Sequence, residues 1–125
     1  MNTREISREQ WVPFLDQFSE AHRGQRIEVR ILNKATGDQI GAEQLPLVGI
    51  TDDYKSSEGE LIEVIAGDNP QEHVTHAISH PIHVRIAERE DGSPVAMQIE
   101  SDDGSSTLVR FLPPMDETSR DMVGN

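Results

Sequence analysis

The sequence predicts an α+β fold in which an N-terminal amphipathic helix packs on an antiparallel β-sheet, or on a partly open barrel, of about six or seven strands. Two periodicities and one turn signal lead to this prediction. Apolar residues recur with a helical period between positions 11 and 18. After position 24 most apolar residues follow the period of two that is typical of strands. Asp-Gly pairs at 91–92 and 103–104 separate strand-like segments and indicate tight hairpins.

The helix is predicted from one apolar stripe that would face the core. Ser7 is the expected N-cap and Gly24 the expected stop. Pro13 would remove a hydrogen bond inside a helix that begins at Ser7. The alternative is therefore a short first turn followed by a main helix from about Val12. The stripe consists of Trp11, Phe14, Leu15 and Phe18.

The strands fall into two sets that resemble each other. Residues 27–31 alternate in the same way as residues 82–86, and each opens a three-stranded meander. A further strand near residues 74–78 would join the two meanders. The other predicted strands cover 45–51, 60–66, 95–99 and 108–112.

The predicted core takes the apolar residues that each period places on one face. Its members are Trp11, Phe14, Leu15, Phe18, Ile27, Val29, Ile31, Ile50, Leu61, Val64, Val74, Ile78, Ile82, Val84, Ile86, Val95, Met97, Ile99, Val109 and Phe111.

Length and composition indicate one domain over residues 1–113, followed by a mobile acidic tail at 114–125. The net charge is −12, and residues 38–72 hold nine acids against one base. Such a charge disfavours nucleic acid and anionic membranes as partners. The chain has no cysteine and no apolar run of membrane-spanning length. We therefore expect a cytoplasmic protein.

A cluster of histidines is the first candidate site. Four of the five histidines, His73, His76, His80 and His83, fall within residues 73–83. Neutral imidazole is a common ligand of zinc and related metals. In strands, however, His76 shares a face with Val74 and Ile78 and points inward, so at most two or three of the four converge. The cluster predicts a possible transition-metal site.

Acidic turns are the second candidate. Asp52-Asp53 and Asp102-Asp103, with Glu58 and Glu60 nearby, offer paired carboxylates for acid–base chemistry or for a hard cation. Aspartate is also favoured in hairpin turns for its geometry alone. No Gly-x-Ser-x-Gly elbow, phosphate loop or dinucleotide motif occurs in the sequence. Together these observations favour a protein that is not an enzyme.

The sequence resembles an uncharacterised bacterial family known only as a domain of unknown function. The resemblance covers nearly the whole chain before the tail and implies a single domain, without any activity, cofactor or partner. It is carried by Arg4-Glu5-Ile6, Trp11, Phe14-Leu15, Phe18-Ser19, His22-Arg23-Gly24, Leu45-Pro46-Leu47, Gly49-Ile50, His73, His76, Ile78, Pro81, Ile99-Glu100-Ser101, Gly104 and Leu108-Val109-Arg110-Phe111.

The function that the sequence favours is a small binding or accessory domain that acts through protein–protein contacts. A sheet edge is the expected contact surface, either with a protein partner or with a second copy of the chain. The alternative is a metal-binding or metal-dependent protein that uses the histidines of residues 73–83.

Overall fold

A computed structural model describes residues 1–69 and 71–113; the tail predicted at 114–125 lies outside them. It contains one α-helix, a short 3-10 helix and eight strands in that part of the chain. Their bounds are β1 Asn2–Ile6, the 3-10 helix Arg8–Gln10, α1 Trp11–His22, β2 Arg26–Asn33, β3 Gly37–Asp53, β4 Leu61–Gly67, β5 His73–Ser79, β6 Pro81–Glu88, β7 Pro94–Ser101 and β8 Ser106–Phe111.

The helical segment follows the alternative with a short first turn. Ser7 precedes the 3-10 helix, and its carbonyl oxygen accepts a hydrogen bond from the Gln10 amide at 2.9 Å, whereas its hydroxyl makes no capping bond. The α-helix then begins at Trp11, which makes Pro13 its third residue. An amide in the first turn has no partner within the helix, so the proline there costs no hydrogen bond.

The strands form one antiparallel sheet in the order β1-β6-β7-β8-β2-β3-β4-β5. The α+β class is confirmed, but the strand count of six or seven is too low because β1 was not predicted. Four of its five residues are exposed and polar, so the sequence shows no apolar period there. The sheet is not closed: no ladder joins β5 to β1 in the described residues.

β3 is the longest strand, with 17 residues, and it connects two halves of the sheet. Its first part pairs with β2 and its second part with β4. Within the part that pairs with β2 the ladder is irregular between Ile40 and Leu45, and Gln44 adopts a φ of 51°. Bulges bend and twist a strand. The sheet curls so far that the His76 ring of β5 lies 3.3 Å from the Thr107 hydroxyl of β8.

The start of β3 was predicted too late. We expected a strand from residue 45, but β3 begins at Gly37. Residues 37–41 are exposed or half-buried, and they belong to β3 through backbone pairing with β2 rather than through an apolar period.

The helix packs on β3 and encloses one side of the core. The Phe18 ring lies 5.1 Å from the Phe111 ring of β8, centroid to centroid. Ser19 is buried; its Oγ accepts a hydrogen bond from the Ile50 amide at 2.8 Å and lies 2.7 Å from the Leu15 carbonyl oxygen. The Trp11 indole donates to the Ile6 carbonyl oxygen at 2.9 Å. These bonds tie the helix to β3 and to the end of β1.

Most of the predicted core is buried, but two members are exposed and four, Phe14, Ile31, Leu61 and Val95, are half-buried. Val74 and Ile82 are 40% and 42% exposed. Ile82 lies at a register shift between Pro81 and His83, which turns it out of the alternation. Val74 is the second residue of the outermost strand, β5. Leu61 is half-buried because β4 turns Ile62 inward instead.

No helix in the described part of the chain is long and apolar enough to cross a membrane.

Candidate functional site

The outermost strand, β5, presents an open edge. It hydrogen bonds to β4 on one side, and on the other side it pairs with no strand of residues 1–69 and 71–113. Its seven residues, HVTHAIS, carry no acidic or lysine or arginine side chain, and five of them are exposed. An exposed edge offers backbone amides and carbonyls to another strand, and charged residues usually guard it. We call residues 74–79, with the backbone groups that point away from β4, the β5 edge.

An apolar cleft lies where β4 leads into β5, and we call it the outer cleft. Its volume is about 330 Å³. Val48, which is 41% exposed, and Ile65 supply its apolar wall. A Cβ on Gly67 would lie 2.4 Å from the Glu72 carbonyl oxygen, so only glycine fits there. The lining residues are Val48, Ile65, Gly67, Asp68, Asn69 and His73.

A second cleft of about 190 Å³, the inner cleft, opens between β5 and the β7–β8 hairpin. Residues 76–79 of β5 line it consecutively. Because successive residues of a strand point to opposite faces, a cleft that contacts four in a row contacts the strand's edge. Its lining residues are Ile31, His76, Ala77, Ile78, Ser79, Ser101, Asp103, Ser105 and Thr107.

Hydroxyls, one imidazole and one carboxylate make up the polar part of the inner cleft. Burial lowers the pKa of His76, which keeps the imidazole neutral near pH 7. Ser101 is only 5% exposed, and its hydroxyl bonds to no other described side chain or backbone group. Asp103 Oδ1 accepts bonds from the Ser105 hydroxyl at 2.6 Å and amide at 2.8 Å, and these bonds lower the pKa of Asp103. The cleft therefore holds one carboxylate and, at Ser101, a hydroxyl that is available to a ligand.

The structure places the four histidines of residues 73–83 in different surroundings. His73 lines the outer cleft and His76 the inner cleft, facing inward as predicted. His80 forms the turn between β5 and β6 with a φ of 52°. His83 Nδ1 lies 2.7 Å from a carboxylate oxygen of Glu5 in β1. Within the described residues, no group of three or more histidine, aspartate or glutamate side chains is arranged to hold a metal ion.

A carboxyl pair, Asp52 and Glu60, connects β3 and β4 to the 3-10 helix. Burial, followed by a hydrogen bond with Glu60, raises the pKa of Asp52 to about 7. Asp52 Oδ1 is buried and has no hydrogen-bond partner among the described residues. Glu60 forms an ion pair with Arg8, whose guanidinium lies 4.7 Å from the Trp11 ring centroid. At pH 7 the Asp52 carboxyl is therefore about half protonated.

Sequence reasoning identified parts of these sites. It singled out His76 and both carboxyls of the pair, Asp52 and Glu60. It missed Arg8, because the contact spans 52 positions, and it missed Ser101, whose burial no local pattern signals.

Comparisons with known proteins identify the family without an activity. An uncharacterized protein from Aquifex aeolicus (strain VF5) is 27% identical over 113 residues, which are 90% of this chain and 95% of the relative. No solved structure matches the chain. The profile of a family of unknown function, DUF5335, matches residues 2–120. The chain therefore belongs to the DUF5335 family, as its resemblance to an uncharacterised bacterial domain family indicated.

Proposed function

We propose that the protein is a non-enzymatic binding module that takes up an extended, basic segment of a partner protein along the β5 edge. One observation carries the proposal: the β5 edge has no acidic, lysine or arginine side chain, and its residues 76–79 line the inner cleft. A segment that pairs with such an edge gains main-chain hydrogen bonds, and its side chains supply specificity.

The two clefts suit the alternation of a strand. Side chains of an added strand would point in turn to the two faces of the sheet. The outer cleft, with Val48 and Ile65, offers an apolar surface on one face. The inner cleft, with its carboxylate and hydroxyls, offers a polar one beside the same edge. The expected segment therefore alternates apolar and polar residues.

Charge favours a basic partner over a second copy of the chain. Residues 38–72, which include most of β3 and all of β4, hold nine acids and one base. Two copies of a chain with a net charge of −12 repel each other, whereas a basic segment is attracted.

Selection from a random peptide library displayed on phage, followed by calorimetry with a synthetic copy of an enriched peptide, tests the proposal. Enriched peptides should contain lysine or arginine, and their binding should weaken with salt. Val74→Lys should weaken binding about five- to tenfold, because it adds a like charge at the edge. Ile82→Lys is the matched control, since Ile82 is equally exposed but lies on β6.

Three results would overturn the proposal. Enriched peptides could lack basic residues, or the two lysine variants could bind equally well. Analytical ultracentrifugation could also show a dimer that Val74→Lys dissociates, which would assign the β5 edge to a second copy of the chain.

The metal-binding alternative stays a prediction. Elemental analysis of untagged protein after incubation with zinc and desalting tests it. A stoichiometric metal that is lost in both His76→Ala and His80→Ala would support the alternative, and protein without metal would reject it.

A further inference from the structure

We propose that the inner cleft receives an arginine side chain of the bound segment and is the main determinant of specificity for a basic partner. This inference rests on the proposed function, because the arginine is carried there by a segment at the β5 edge. It also has a test that does not depend on strand pairing.

The polar groups of the inner cleft suit a cationic hydrogen-bond donor, because its carboxylate can only accept and its hydroxyls can accept as well as donate. The Ser101 side chain lines the cleft and makes no hydrogen bond within the described residues, so its hydroxyl is available to a ligand. Asp103 uses one carboxylate oxygen, Oδ1, to hold Ser105 and leaves Oδ2 for a ligand. The lining residues that the structure describes include no lysine or arginine that would neutralise an anion.

Shape and apolar surface favour a side chain with an apolar stem and a planar head. Ile31 and Ile78 supply apolar wall beside the hydroxyls. A volume of about 190 Å³ would hold about six water molecules, which is comparable with the heavy atoms of an arginine side chain. A guanidinium presents several donors in one plane and is less strongly hydrated than an ammonium. Its donors match the acceptor atoms of Ser101, Asp103 and His76, which line the same cleft.

Two turns of the same sequence provide a matched control. Asp91 accepts bonds from the Ser93 amide and hydroxyl at 2.9 and 2.6 Å, just as Asp103 does from Ser105. Only the second turn lines the inner cleft. Asp103→Asn and Asp91→Asn should thus disturb equivalent turns, whereas only Asp103→Asn removes charge from the cleft.

The experiment measures, by NMR, the binding of n-butylguanidinium as the probe and of n-butylurea as its uncharged counterpart. Butylguanidinium should shift the signals of the His76 ring and the Ser101 amide, whereas butylurea should bind at least about tenfold more weakly because it lacks the charge. Asp103→Asn and Ser101→Ala should each weaken binding at least about fivefold, and Asp91→Asn should leave it unchanged. Ser101→Ala removes no bond within the protein, so it should fold normally.

The outcomes separate this inference from the proposed function. No shift at any probe concentration that the protein tolerates, or equal binding by Asp103→Asn and Asp91→Asn, would overturn the inference even if peptides pair with β5. Probe binding that depends on Asp103 and Ser101 would support the cleft as a guanidinium site even if no peptide pairs with the β5 edge. An n-butylammonium probe that binds more tightly than butylguanidinium would overturn the choice of arginine.

Discussion

Replacing Asp52 by asparagine should stabilise the protein more at pH 8 than at pH 5. The fold raises the pKa of this carboxyl from 3.8 to about 7, first through burial and then through the hydrogen bond with Glu60. Asparagine has nearly the same shape, stays neutral at every pH and can donate its amide hydrogens to Glu60. The substitution therefore removes the titration and keeps the packing.

The sign and the size follow from the two pKa values. Between pH 4 and pH 7 the folded state keeps a proton that the unfolded state has lost, so the free energy of unfolding falls as the pH rises through this range. A shift of this size corresponds to at most about 4 kcal/mol. Asp52 is only half-buried, and solvent screening reduces the expected gain for Asp52→Asn at pH 8 to about 1–2 kcal/mol.

Urea denaturation followed by tryptophan fluorescence at pH 5 and pH 8 measures this difference, since Trp11 is buried. Asp16→Asn, an exposed change on α1, is the control and should show no such pH dependence. If Asp52→Asn changes the free energy of unfolding equally at pH 5 and pH 8, the folded state does not raise the pKa of Asp52 and the reasoning is wrong.

Two further substitutions test contacts that hold the fold together. Ser19→Ala leaves the buried amide of Ile50 without an acceptor and should lower the free energy of unfolding by about 1–3 kcal/mol. The control Ser57→Ala, at an exposed position, should have almost no effect. Equal effects of the two substitutions in urea denaturation would argue against the bond between Ser19 and Ile50. Gly67→Ala places a Cβ 2.4 Å from a backbone carbonyl oxygen. The added Cβ in Gly104→Ala meets open space, so this variant loses only about 1 kcal/mol of folding free energy, through its φ of 88°. The melting temperature should therefore fall further in Gly67→Ala than in Gly104→Ala. A smaller loss for Gly67→Ala would contradict this geometry.

Elements with a strong apolar period were predictable from the sequence. The stripe of Trp11, Leu15 and Phe18 placed the helix, and alternation placed the strands that contain Ile27 and Ile99. These patterns report which face of one element is buried. The prediction therefore succeeds when an element has one solvent-exposed face and one buried face.

Features that depend on pairing between elements were not predictable. β1 is polar, and it joins the sheet through its ladder with β6 and an ion pair of 3.1 Å between Arg4 and Glu88. Ile82 continues the alternation of its strand, but the register shift against β7 turns it to solvent. Such contacts depend on residues far away in the sequence, which a local period does not report.

The candidate site also has parts that the sequence predicted and parts that it did not. The spacing of the histidines drew attention to His76, and the paired acids drew attention to Asp52, because unusual residue types stand out in a sequence. The β5 edge follows from strand order, and the inner cleft requires Ser101 and Asp103 to meet β5 across the curled sheet. Strand order and curvature are properties of the assembled sheet and leave no signal in a single strand.

The strand order has a consequence for how the chain acquires its structure during synthesis. β2 lies between β3 and β8, and Ile27 pairs with Phe111 near the end of the described chain. At a synthesis rate of roughly 5–20 residues per second, β8 leaves the ribosome on the order of ten seconds after β2. Throughout that interval the edge of β2 around Ile27 and Val29, which pairs with β8 in the folded protein, stays unpaired. The growing chain therefore exposes a second open strand edge. The described sheet can therefore be completed only after β8 has been made.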